Sequence, residues 1–334
     1  MSWNGKMKER IKAIVIIAII IILFQIFINL KVGAKNIILK NSNYDIIVDI
    51  KGFGDYKSIQ QAIDIAKPGS SIYIMSGEYY EIINIKKLLY LEGENKDTTI
   101  INPISEENKY AIRMGAPEIN ISSLTIINGA PGLYSTAIKV CASNTKIYDC
   151  NIYNTPVGIS IWTSGNLIDN CVFKGCKDEG IALLGSKNSK CSDNIIKNSI
   201  FYDNCDGIEL QYSCKNMIEN CEIYDNTHSG IDAIAKLNDE NIITKCDIYN
   251  NRVHGIYLSA SSENQIIDCK IKNNKDGDII MNKYSKNNQI INTEDDGKDI
   301  YKTVSLSSFI NRLYDNVNKL KESRIISIFN NLNF

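Results

Sequence analysis

Asp206, Glu209, His228, Asp232, Arg252, His254 and Tyr257 bring carboxylates, imidazoles, a guanidinium and a phenol into one short stretch of the chain. Both histidines of the protein are among them, and Arg252 is the only arginine between Arg113 and Arg312. Two carboxylates held about 5 Å apart are the pair that a retaining glycosidase uses. Their mutual repulsion raises one pKa and so supplies a general acid. Glu209 and Asp232 are the candidates for that pair, with Asp206, His254 and Tyr257 as further catalytic candidates. Arg252, Tyr257 and His228 are candidates for holding substrate, Tyr257 by laying its ring on a sugar. A lyase or epimerase with Tyr or His as base fits the same residues as a hydrolase does. Two histidines with carboxylates could also hold copper or zinc, and calcium is the oxygen-binding alternative. The histidines are 26 residues apart, so their rings need not converge, and no metal ligand or cofactor is assigned on the sequence alone. Outward polar residues on strands are ordinarily just solvated, and a lone His at a turn likewise.

These residues can act together only if a repeating fold stacks them. Asn is followed five positions later by Cys at Asn166–Cys171, Asn216–Cys221, Asn241–Cys246 and Asn264–Cys269. Asn194–Ser199 and Asn288–Thr293 substitute a hydroxyl, and Asn144–Cys150 carries one extra residue. The asparagines recur at intervals of 22, 28, 22, 25, 23 and 24 residues. A second marker, Gly-Ile, begins segments at Gly158, Gly180, Gly207, Gly230 and Gly255. Two independent markers with one period indicate a repeat architecture.

Within a repeat, Ile208 and Leu210 alternate with Glu209 and Gln211, and Cys221 and Ile223 with Glu222 and Tyr224. The period of two marks strands, and Asn, Asp, Ser and Gly between them mark turns. A unit this small cannot bury its own apolar face and must stack on copies of itself. The expected fold is all-β, a single-stranded parallel β-helix with rungs about 4.8 Å apart. Cys and Ile point inward, and the asparagines stack at a corner. Ser160, Ala182, Glu209, Asp232 and Tyr257 then share one outward row, preceded by Val157, Glu179, Asp206, Ser229 and His254.

Cysteines repeated on adjacent rungs have parallel Cα–Cβ vectors about 4.8 Å apart, wider than the roughly 3.8 Å a disulfide prefers. Cys150, Cys171, Cys221, Cys246 and Cys269 are therefore expected to be reduced and structural. The pairing of Cys141, Cys176, Cys191, Cys205 and Cys214 is not legible.

The near-zero net charge of −1 lacks the basic excess that nucleic-acid binding needs. Lys6, Lys8, Arg10 and Lys12 precede an apolar run from Ala13 to Leu30, long enough for a membrane-spanning helix. The basic flank stays in the cytoplasm and sends the remainder outside. An uncleaved anchor is preferred here over a signal peptide cut after Ala34. Residues 1–34 thus form a signal-anchor, 35–110 the N-terminal cap and first rungs, 111–296 the repeats, and 297–334 a C-terminal helical cap. The first cap is "SIQQAIDIA", with Ile59, Ala62, Ile63 and Ala66 on one face and a capping box of Ser58 and Gln61. The second places Phe309, Leu313, Val317 and Leu320 in a helical stripe.

The segment Asp55 to Ile100, "DYKSIQQAIDIAKPGSSIYIMSGEYYEIINIKKLLYLEGENKDTTI", resembles the opening of pectin-lyase-fold proteins, in particular pectinesterases and the NosD-like extracytoplasmic β-helix proteins. The resemblance spans Lys51 to Thr293 as a fold and implies right-handed coiling. "TAIKVCASNTKIYDCNI" is similar to the pectinesterase segment before its first catalytic aspartate. Asn154-Thr155-Pro156-Val157 follows where that family carries a Gln-Asp-Thr-Leu-like motif, and its second catalytic aspartate has no counterpart. Pectinesterase activity is therefore not implied, and no catalytic residue is carried over. "VHGIYLSAS" is faintly similar to a polygalacturonase strand, but the paired aspartates and the Arg-Ile-Lys motif of that family are missing. The NosD likeness implies a copper-handling alternative. The remaining readings are a membrane-tethered, monomeric solenoid that binds or processes surface polysaccharide, and a non-enzymatic adhesion solenoid.

Overall fold

A computed structural model describes residues 3–40, 44–103, 110–128, 132, 135–234 and 237–295. The expected C-terminal helical cap, residues 297–334, lies outside the described residues.

From Ile46 onward the chain winds as a solenoid with three strands per coil. The first sheet has 11 strands, from Ile46–Val48 to Gln289–Ile291. The second has 10 strands, from Gly77–Tyr79 to Glu294–Asp295. The third has 9, from Ile83–Ile85 to Gly277–Met281. Successive strands pair in parallel, as at Ile223↔Ile248 and Ile248↔Ile271. Each coil thus sets its inward residue directly on the equivalent residue below. The core is a set of such columns, including Ile208, Ile231, Ile256 and Ile279, all 1% exposed or less. Phe173 and Phe201 stack in another column with centroids 4.6 Å apart.

The corners explain the sequence markers. Asp149, Asn170, Asn198, Asn220, Lys245 and Asp268 have φ between 51° and 54°, the left-handed turn that Asn and Asp tolerate best. Just after this turn stand the inward cysteines. Ser199 and Thr293 take the same place, their hydroxyls accepting from the backbone N–H of Cys171 and Cys269. All ten cysteines are free thiols.

The asparagine column is a buried amide ladder. Asn194 Nδ2 donates to Asn216 Oδ1 at 3.0 Å, Asn216 to Asn241 at 3.0 Å, and Asn241 to Asn264 at 3.0 Å. Each amide is satisfied along the axis, where an unpaired one would cost about 1–3 kcal/mol. The reading of Asn144 as the first member is corrected. Asn144 is the exposed turn residue with φ 60°, and the buried Thr145 meets Asn166 Oδ1 instead. A second ladder, Asn204, Asn226, Asn251 and Asn274, runs along another corner.

The Gly-Ile marker has a steric cause. A Cβ on Gly207 would lie 2.5 Å from Gly230 O and 2.6 Å from Ile223 Cγ2. The same clash recurs at Gly230, against Gly255 O and Ile248.

The cap helix, Ile59–Ile65, buries Ile59, Ala62 and Ile63 over the first coils, as the periodicity predicts. Ser58 Oγ accepts from Gln61 N, but the reciprocal half of the expected box is absent. Glu81, in the connection between strands Gly77–Tyr79 and Ile83–Ile85, accepts from the N–H groups of Ile59 and Gln60 and from Ser58 Oγ. A carboxylate at this end also offsets the helix dipole.

The N-terminal helix spans Trp3–Lys40, continuing past Ala34. Its segment Lys12–Lys31, with mean hydropathy 3.0, is long and apolar enough to cross a membrane. It fits a single-pass anchor or a signal segment.

Candidate functional site

The third sheet positions the predicted cluster. Its strands Glu179–Leu184, Asp206–Gln211, Ile231–Ala233 and His254–Leu258 lie side by side. The register aligns Ala182↔Glu209, Glu209↔Asp232 and Asp232↔Tyr257, so the outward row is the one the periodicity predicts. The ordinary expectation of solvation fails there. Glu209 is 7% exposed, Asp232 2% and Tyr257 4%. Strands at about 4.8 Å spacing pack these side chains against one another.

Burial of several carboxyls shapes their chemistry. Glu179 is raised well above the usual carboxyl range, first by desolvation and then by the charge of Glu209. Glu209 is raised to about 7, chiefly by desolvation. A hydrogen bond from Glu179 opposes that rise, while Asp206 adds to it. Burial and the neighbouring carboxylate charges therefore favour the protonated form of Glu179. Gln211 Nε2 donates to the Oε1 atom of Glu209. Glu209 is thus a group poised to take or give a proton near neutrality.

Beside this pair, His228 Nδ1 lies 2.6 Å from Asp206 Oδ1 and 3.5 Å from Asp232 Oδ2. Ser229 N donates to the same Asp206 oxygen at 2.7 Å. Ligand atoms of Asp206, His228 and Asp232 all lie within 4.8 Å of one another. His254 takes no part in that convergence. Its ring stacks on Tyr257, with centroids 5.1 Å apart. The two-histidine metal arrangement considered from sequence is therefore replaced by a set with one histidine.

Arg252 stands apart. It is exposed on the turn before the His254–Leu258 strand, and among the described residues its side chain bonds to no carboxylate. Its backbone N–H donates to Asn226 O. Glu179 and Gln211 were not among the sequence candidates, although Glu179 was visible as a residue before a marker glycine. Further up the same outward row lie Arg113, Lys139 and Ser160. Lys139 Nζ sits over the half-exposed Trp162 ring at 5.5 Å. Along the row the cations Arg113 and Lys139 thus precede the carboxylates Glu209 and Asp232, and Tyr257 and Ile280 follow.

The sequence profile of the right-handed β-helix region family matches residues 65–196 and 136–295. The chain belongs to the right-handed β-helix family. Its coils are therefore right-handed, and the pectin-lyase-like resemblance read from the opening segment holds. Probable pectinesterase 67 of Arabidopsis thaliana is 30% identical over 131 residues, 34% of this chain and 38% of that protein. The chain thus matches little more than a third of that relative's length. Among solved structures, the A-module of the mannuronan C-5 epimerase AlgE4 from Azotobacter vinelandii aligns with a TM-score of 0.51 and 16% identity, covering 74% of this chain and 94% of that one. The ORF18 protein of Geobacillus virus E2 aligns with a TM-score of 0.58 and 16% identity, covering 78% and 63%. At these identities the structural likenesses establish the β-helix fold.

Proposed function

We propose that this β-helix protein is tethered to the cell membrane by its N-terminal helix, and that the outward row of its third sheet binds and processes a polysaccharide outside the cytoplasm. The observation that carries the reading is the buried Glu209 carboxyl in register with Asp232 and, one strand further, Tyr257, with the buried Glu179 on the preceding strand. A proton donor beside further carboxylates and an aromatic side chain is the equipment for breaking or rearranging a bond at a sugar carbon. Glu209 is the proton donor, its pKa raised to about 7 chiefly by burial. Arg113 and Lys139 offer positive charge to anionic substituents further along the polymer. The names of two similar proteins, a mannuronan epimerase and a probable pectinesterase, support a polysaccharide substrate.

The test is a polysaccharide-binding screen of the full chain in detergent, with product analysis on each ligand found. Glu209→Gln is expected to keep binding and lose turnover. Failure of the wild-type chain to bind any polysaccharide, or unchanged turnover in Glu209→Gln, would overturn the reading.

A further inference from the structure

Three donor atoms converge at one end of the carboxyl row. We propose that Asp206, His228 and Asp232 form a binding site for a divalent transition-metal ion of the zinc class. The inference rests on this convergence and stands independently of the polysaccharide reading.

The geometry suits the ion. Metal–ligand distances of about 2.0–2.2 Å in a tetrahedral site set donor atoms roughly 3.4 Å apart. His228 Nδ1 is already 2.6 Å from Asp206 Oδ1 and 3.5 Å from Asp232 Oδ2, so small side-chain rotations would complete the site. Its supports are rigid. The N–H of His228 donates to Cys205 O, and Val253 N donates to His228 O, both at 2.8 Å. Ser229 N donates to Asp206 Oδ1, the oxygen that faces His228, and so fixes that carboxylate in place.

Donor chemistry narrows the choice. Calcium asks for six to eight oxygens, whereas this set supplies one nitrogen and two carboxylates. It has no sulfur donor of the kind that selects copper(I). An imidazole with two carboxylates and an open fourth position suits zinc or manganese. The His228 side chain is 24% exposed, which leaves a path for the ion from solvent.

The experiment uses the full chain in detergent, stripped with chelator and titrated with Zn2+ against a competing indicator. One equivalent should bind. His228→Ala and Asp232→Asn should each weaken binding by tenfold or more, since loss of even a group behind the ligands costs about 10–100-fold. His254→Ala should leave it unchanged, and millimolar Ca2+ should not compete. The wild-type chain loaded with Co2+ should show visible ligand-field bands without thiolate charge-transfer absorption. This readout does not depend on the variants folding. Absence of stoichiometric binding, unchanged affinity in a folded His228→Ala variant, or a thiolate band that assigns the ion to the cysteines would each overturn the proposal.

Discussion

Glu179 and Glu209 lie buried on neighbouring strands of the third sheet, where desolvation raises the pKa of both carboxyls. The folded chain therefore holds a proton on Glu209 up to about pH 7, against an ordinary value of 4.5. A raised carboxyl pKa means the native state binds the proton more tightly than the unfolded state. Its contribution is complete below about pH 4.5 and is lost as pH rises through 7. In chelator, the melting temperature should fall between pH 5 and 8 as this group's stabilisation, up to about 3 kcal/mol, is lost. Glu209→Gln should flatten that slope. An identical slope in the variant would show that the pair is not responsible.

The amide ladder predicts a sharp contrast between two asparagines of one coil. Asn216 makes hydrogen bonds to Asn194, Asn241 and Cys191 O while 1% exposed. Asn216→Ala should cost about 3 kcal/mol or more in urea unfolding, because it strands buried donors and acceptors. Asn220 is exposed with φ 51°, so Asn220→Gly should shift stability by less than about 1 kcal/mol. Equal effects would contradict an axial ladder.

Thiol titration reports the stacking of the coils. Cys141, Cys205 and Cys214 are partly accessible and the other seven are buried. Burial also pushes the Cys191 thiol up to about 12, which suppresses its reactive thiolate. Ellman's reagent should modify at most three thiols in the native chain and all ten in denaturant. Rapid reaction of more than three would mean that the inward column is open.

The Lys12–Lys31 segment predicts partition with lipid. The full chain should sediment with membranes through a carbonate wash, and charged substitutions such as Ile20→Lys with Ile21→Lys should release it. A membrane-spanning helix tolerates each such charge only at a cost of about 2.5–3.5 kcal/mol. Retention of the doubly charged variant would assign the attachment to another part of the chain.

The coil register was legible because identical inward residues recur at identical corners. Cys221, Cys246 and Cys269 announce one column, and Gly207, Gly230 and Gly255 announce another. The second asparagine ladder was not legible. Asn251 follows Asn250, and a pair of asparagines reads as a solvated turn until the fold puts one at φ 57° and the other in the core. Asn144 misled for the same reason, since Asn serves both the exposed turn and the buried ladder, and only contact with Asn166 singles out Thr145. Gln61 promised half of a local cap, but Glu81 closes the helix end from 21 and 22 residues away in sequence, where no local motif could show it.

Sequence by itself determined the period, the strand alternation, the apolar amino terminus and the outward row that joins Glu209, Asp232 and Tyr257. Those follow from local pattern, since a repeat of constant content must stack on itself to bury its apolar face. Tertiary structure alone decided that this row is buried, that Glu179 lies buried beside it, and that His228 rather than His254 closes on Asp206 and Asp232. Those outcomes depend on side-chain rotation and desolvation at distances of a few ångströms, and a one-dimensional spacing of some two dozen residues carries neither.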